Sequence, residues 1–399
     1  MKIQKVELRL IHPDYTKSSN PNMKNFTGGC IPIMIRIITD EGIYGDGAVS
    51  LGFGVGQSAV IELSRDFACR IIGKNALETE VIWEMLHNTR AFPTWLYQSV
   101  PSGFDMALWD IKGKAFNVPV YVLLGGAQRK KMRAYASQLQ FGWIDSKHMA
   151  ASPEDYADNA KKAVEAGYDA VKVDFWAYDE EGRPMTHDMR KGLVTPKIMN
   201  VVEERVAATR EAIGPDVDLI LEGHAFTDVT TAIQFAQRLE KYDILFFEEP
   251  CFPTPENYRR VRDKLPMPLA GGEQSVTRWD FAPYLINGSM QILQPDVGNC
   301  GGISELMKIA NFADVFDASI QGHCCETPII LSATLHIEAA IPNFAIHEQH
   351  IECYQPYLNE LFTNSWYPEN GYYTVPEDPG LGTELSEYAL AHCDLWTVE

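Results

Sequence analysis

Between about residues 130 and 350 one unit recurs: a helix, a short loop, then a short apolar run that closes on a polar residue. The closings are AVKVD, LILEGH, LFFEEP, LAGGEQ, ILQPD, SIQGH and AIHEQ, with MRAYASQ ahead of them as an eighth. Strands alternating with helices at this stride imply a parallel sheet covered by helices. Eight of them suffice for a closed (β/α) barrel, although a doubly wound open sheet shows the same alternation. In a barrel all strand C-termini share one face, so polar residues far apart in the chain become neighbours. The unit's start is legible in ASPEDYADNAKKAVEAGYDAVKVDFW: Ser152 is placed to cap a helix, Pro153 to open it and Gly167 to follow its end.

The flanks read differently. In MKIQKVELRLI, Val6, Leu8 and Leu10 alternate with charges, which is a half-buried strand and not a signal peptide. IPIMIRIITDEGIYGDG reads as a strand, an Asp40-Glu41-Gly42 turn and a returning strand, with helical sequence after it. The expected organisation is an α+β domain over 1–125, the barrel over 126–355, and a Pro-, Gly- and aromatic-rich segment over 356–399 that packs back on the first domain. A net charge of -20 argues against nucleic-acid and anionic-membrane partners. No apolar run approaches the roughly 18 residues of a membrane span. The eight cysteines form no CxxC pair, and the adjacent Cys324 and Cys325 read as reduced packing residues. The expectation is a soluble, cytoplasmic protein.

Three carboxylates, Glu222, Glu248 and Glu273, stand at successive strand ends. Without a cation they would repel, and a hard divalent ion such as Mg2+ relieves this with oxygen ligands. Rim residues paired with Lys or Arg are the plainer alternative. Glu249 competes with Glu248 on composition. Asp296 and His323 close the sixth and seventh strands, and neighbouring strands are near enough for an Asp–His hydrogen bond. Period-two alternation aims Lys172 and Asp174 into the mouth, and puts His224 on the side of Glu222 if the run LILEGH stays extended. Glu348 ends the eighth strand as a substrate-positioning or electrophilic candidate, or as part of a rim network with His347 and His350. The excursion FWAYDEEGRPMTHDMRKGLVTP carries Trp176, Tyr178, His187 and Arg190, which either meet substrate or line a surface. Residues about 15 to 28 and 50 to 56 are candidate lid segments, and GFGVGQ lacks the preceding strand of a nucleotide site.

The ordered set LEGH, FFEEP, LAGGEQ, LQPDVGNCGGI and GHCCETPI, preceded by ALWDIKGKA, resembles the enolase superfamily in its mandelate-racemase-like branch. The resemblance implies a (β/α)7β modified TIM barrel under an N-terminal capping domain, Mg2+ on Glu222, Glu248 and Glu273, and removal of the proton beside a carboxylate. It favours Glu248 over Glu249 as the ligand. Racemases of this branch resemble a Lys-x-Lys pair on the second barrel strand. Here the pair is Lys172-Val173-Asp174, which leaves His323 with Asp296 as the implied base and Lys172 as a cation for the substrate carboxylate. A ligand-x-His arrangement on the third strand resembles galactonate and mannonate dehydratases and implies His224 as the acid for a leaving hydroxyl. The implied activity is a carbon–oxygen lyase converting a sugar acid to its 2-keto-3-deoxy product, with Asp174, Trp176 and Tyr178 as substrate contacts. A homo-oligomer is also implied. A racemase, epimerase or cycloisomerase, a non-catalytic acid-binding homologue and a glycosidase are the competing readings.

Overall fold

A computed structural model describes residues 1–17, 33–50, 56–87, 95–144, 149–192, 194–325 and 327–399. Strands β1 (Ile3–Ile11), β2 (Ile33–Thr39) and β3 (Tyr44–Val49) form an antiparallel sheet. The hairpin between β2 and β3 turns at Asp40–Gly42, with Gly42 at φ +81°. Across it Arg36 grips the Asp46 carboxylate with two hydrogen bonds of 2.7 Å. Helix Pro101–Phe116 packs on this sheet, and the chain's last strand, Cys393–Val398, pairs with β1 on its open side.

The barrel strands follow as β4 (Lys131–Ala136), β5 (Ala170–Val173), β6 (Asp218–Glu222), β7 (Ile244–Glu248), β8 (Leu269–Gly271), β9 (Ile292–Leu293), β10 (Ser319–Ile320) and β11 (His347–Gln349). They are parallel, in the order β10-β9-β8-β7-β6-β5-β4-β11. The ends of this curled sheet meet where Ile320 bridges Phe344 and Ala345 donates its N–H to the Ile320 carbonyl at 2.8 Å. Seven strands are followed by covering helices, and β11 runs into the C-terminal segment. That is the (β/α)7β architecture with an α+β cap. The helix starts explain themselves: Ser152 and Asp155 form a capping box ahead of Pro153, and Thr195, Asp228 and Thr254 accept from the first turns of later helices. Among the described residues no helix is long and apolar enough to cross a membrane.

Two features position the site. Inside the barrel, Tyr135, Ala170, Ile220, Phe246, Ala270 and Ile346 form one apolar layer. Two residues further along, the same strands point Ser137, Lys172, Glu222, Glu248 and Glu348 inward, so the polar layer sits on the apolar one by alternation alone. The cap is keyed to the barrel by Asp105, which accepts from the Ser304 hydroxyl (2.6 Å) and N–H (2.9 Å), while Trp109 donates to the same hydroxyl at 2.8 Å. Gly302, at φ +84°, leaves the room that Asp105 occupies.

Candidate active site

Lys172 sits at the centre of the polar layer, almost wholly buried, and holds three carboxylates: Glu248 at 2.6 Å, Glu222 at 2.8 Å and Glu348 at 2.9 Å. An ammonium has three protons, so the three partners saturate it. Burial works against its charge, but these carboxylates keep it protonated well above the ordinary lysine range. Gln294 donates to the other oxygen of Glu248 at 2.6 Å. Glu348 also accepts from the Ser137 hydroxyl at 2.8 Å and the Cys324 N–H at 3.2 Å. Burial pushes the Glu348 carboxyl up, yet Lys172 and the other cations hold it below the usual carboxylate range. Lys172 and Glu348 thus both stand in the polar layer, Lys172 bound to three carboxylates and Glu348 held by Lys172, Ser137 and the Cys324 N–H. His347 turns away from both, to Glu338 at 2.7 Å.

His323 and Asp296 stand as the strand ends suggested. The ladder of β9 and β10 continues through a parallel bridge between these two residues. Asp296 accepts the Gly298 N–H at 2.7 Å with one oxygen and meets His323 Nδ1 at 2.7 Å with the other. His323 Nε2 lies 3.6 Å from Glu273. Burial disfavours the imidazolium, but Cys325, Glu273 and Asp296 together hold it well above the ordinary histidine range.

The opposite side of the mouth departs from expectation. β6 ends at Glu222, and His224 and Ala225 adopt left-handed φ of +43° and +55°. A turn, not an extended strand, brings His224 back: its N–H donates to Glu222 at 2.8 Å, and its Nδ1 lies 2.9 Å from Asp174. The turn passes so close to β7 that a Cβ on Gly223 would collide with the Glu249 carbonyl. The Gln138 amide reaches His224 Nε2 at 3.2 Å, and Gln140 donates to Gln138 at 2.5 Å. Burial lowers the His224 pKa, but Glu222 and Asp174 outweigh it and raise it to about 10. Asp174 is therefore a carboxylate behind an imidazole, with its other oxygen on the Trp176 N–H at 3.0 Å, and not a direct substrate contact. Trp176 is corrected too. Its side chain is 0% exposed, stacked on Phe235 at 5.1 Å and edge-on to Phe247, which makes it core. Tyr178 is half-buried, edge-on to Phe141 at 6.1 Å, and burial raises its pKa to about 12. His187 is exposed on the surface.

Sequence reasoning passed over two groups. Gln138 and Gln140 follow β4; the polar closing of MRAYASQ carries Gln138, and Gln140 lies beyond it. Arg205, fully buried, gives its guanidinium to the carbonyls of Phe175, Tyr178, Ala151 and Asp179, which fixes the root of the excursion after β5. Glu249, the alternative to Glu248 that the sequence left open, is buried, and among the described residues neither of its carboxylate oxygens has a hydrogen-bond partner; burial together with Glu273, Glu222 and Glu248 pushes its pKa far up. The candidate lid segments lie almost wholly outside the described residues.

The donor set was tested against a divalent cation. Glu222 and Glu248 are register neighbours on β6 and β7, Glu273 follows β8, and Glu249 adds a buried carboxylate without a partner. These are hard oxygen donors in excess of local positive charge, which fits a hard cation. Among the described residues no three ligating side chains are gathered at metal spacing, and Glu222 and Glu248 are bound to Lys172.

With this geometry in hand, comparison with known proteins places it. Residues 155–389 match the enolase C-terminal domain-like family, and residues 28–125 match the mandelate racemase / muconate lactonizing enzyme N-terminal domain. A D-galactonate dehydratase of Verminephrobacter eiseniae is 32% identical over 364 residues, 89% of each chain. A D-gluconate dehydratase of Thermoproteus tenax is 29% identical, over 90% of this chain and 69% of its own. A crystal structure of an enolase superfamily member from Salmonella Typhimurium superposes with a TM-score of 0.92 at 43% identity, covering 100% of both chains. The chain belongs to the enolase superfamily, in its mandelate racemase / muconate lactonizing enzyme branch.

Proposed function

We propose that the chain is a carbon–oxygen lyase that dehydrates a sugar acid to a 2-keto-3-deoxy sugar acid. The observation that carries this reading is a pair of carboxylate-backed imidazoles at the ends of strands on opposite sides of the barrel. His323 with Asp296 follows β10, His224 with Asp174 follows β6, and those strands are four apart in an eight-strand barrel. Elimination of water needs a base at C2 and an acid at the C3 hydroxyl, and one imidazole can serve each. His323 takes the C2 proton through Nε2, while Asp296 holds its Nδ1. His224 gives its proton to the departing hydroxyl, and Asp174 keeps the ring charged and oriented until then. Glu222, Glu248 and Glu273 would hold Mg2+, which supplies stabilisation of the negative charge developing on the substrate carboxylate. Neutralising Glu273 also removes one of the charges that raise His323, returning it toward the base form. The dehydratase names of the relatives support the same class. A two-base racemase finds less support, since Asp174 stands where that pattern has its second lysine and is bound to His224.

The test is incubation with a library of sugar acids and Mg2+ in D2O, reading keto acid by semicarbazide and deuterium at C2 by mass spectrometry, with EDTA as control. The expected result is metal-dependent loss of water from one acid or a few. Deuterium exchange without water loss across the library would point to a racemase instead. No metal-dependent reaction with any acid would overturn the reading.

A further inference from the structure

Arg190, in the excursion after β5, has no part in the dehydration described above. Its side chain is half-buried, and among the described residues its enclosed Nε has no hydrogen-bond partner. Its guanidinium lies over the ring of Phe226 at 4.3 Å, and that ring is 5.8 Å from the imidazole of His224. The carboxylate that acts on it, Asp174, is already committed to His224 and to the Trp176 N–H. Other enclosed arginines of this chain end on acceptors: Arg205 donates to four carbonyls, and Arg210 to the carbonyls of Tyr242, Gly214, Val217 and Asp243. A half-desolvated cation without a counter-ion is costly, and in a chain of net charge -20 it is conspicuous. What this position lacks is an anion.

The site also has a direction. Lys172 is 2.8 Å from Glu222, His224 Nδ1 is 4.0 Å from Glu222, Phe226 stands beside His224, and Arg190 lies over Phe226. A sugar acid with C1 at the carboxylate cluster and its C3 hydroxyl at His224 extends its remaining carbons toward Phe226. We propose that Arg190, held flat on Phe226, binds an anionic group at the distal end of the sugar acid, so that the substrate carries two anionic ends. A planar guanidinium takes a carboxylate or phosphate with two parallel hydrogen bonds while its face rests on an aromatic ring. The direction of the substrate rests on the dehydratase reading; the unpaired cation does not.

The test compares acids matched except at C6: galactonate with galactarate, and gluconate with 6-phosphogluconate. These two arms separate a distal carboxylate from a distal phosphate. Wild type, Arg190→Met and Arg190→Lys are assayed with each, and binding to the His323→Asn chain is measured by calorimetry with and without Arg190→Met. The expected result is preference for one dianion, with Arg190→Met lowering its kcat/KM about 10- to 100-fold, mainly through KM. The matched monoanion should stay within about threefold, and Arg190→Lys should recover part of the loss. Dianion binding that depends on Arg190 without dehydration of any acid would uphold the subsite and overturn the dehydratase reading. Equal losses on both members of a pair, no loss on either, or no Arg190-dependent binding of any dianion would overturn the subsite.

Discussion

The two imidazoles of the mouth are built by different means. His323 and Asp296 extend a ladder already made by β9 and β10, so backbone pairing alone sets them 2.7 Å apart. His224 leaves its strand, turns through two left-handed residues, and is held from three directions by Asp174, Glu222 and Gln138. One side is fixed by sheet register, the other by side chains meeting around a turn. A group held by register tolerates changes in its neighbours, while one held by side chains depends on each of them. The two sides should therefore fail differently.

The largest effect belongs to the register side. His323→Asn should remove both C2 exchange and water loss, by about 10²- to 10⁴-fold, because it takes away the proposed acceptor of the C2 proton. Deuterium incorporation at C2 measures it directly. Asp174→Asn comes next and acts on the other side alone. It should slow water loss about 10- to 100-fold while C2 exchange stays within about twofold. The sign with pH follows from Asp174, which together with Glu222 raises the His224 pKa against the opposing effect of burial and still does so when Glu222 is given to the cation. The imidazolium persists below its raised pKa and is lost above it. Removing the Asp174 charge brings the pKa down, so the high-pH limb of water loss should move to lower pH, and NMR of the ring should show the same shift. Gly223→Ala is the mildest. Its Cβ would meet the Glu249 carbonyl, and relief by backbone movement should cost about 1–3 kcal/mol in denaturant unfolding, with water loss falling more than exchange.

How much of this was legible in the sequence follows the same division. Eight helix-covered strands and the inward aim of Lys172 follow from helix–strand alternation and the two-residue period, which are local rules, whereas closure into a barrel and the choice of Glu248 over Glu249 came from the resemblance. Asp296 and His323 could be read as neighbours because strand ends adjoin. His224 was placed on the right side for a wrong reason: extended backbone was assumed where His224 and Ala225 turn left-handed. The surroundings of Asp174 and Trp176 were not legible, because periodicity says which way Asp174 points and not what it meets, and the polar excursion gave no sign that its Trp176 is core. Asp174 finds an imidazole, and Trp176 finds the face of Phe235. The saturation of Lys172 was hidden for a similar reason, since counting its partners requires three strands to be assembled first.

The central claim is that acid and base are separate residues on opposite walls of one pocket. His224→Asn tests it most directly, with exchange at C2 and release of keto acid followed in the same D2O reaction. The account predicts that exchange continues near the wild-type rate while keto acid falls below detection. Loss of both together, or survival of both, would contradict it.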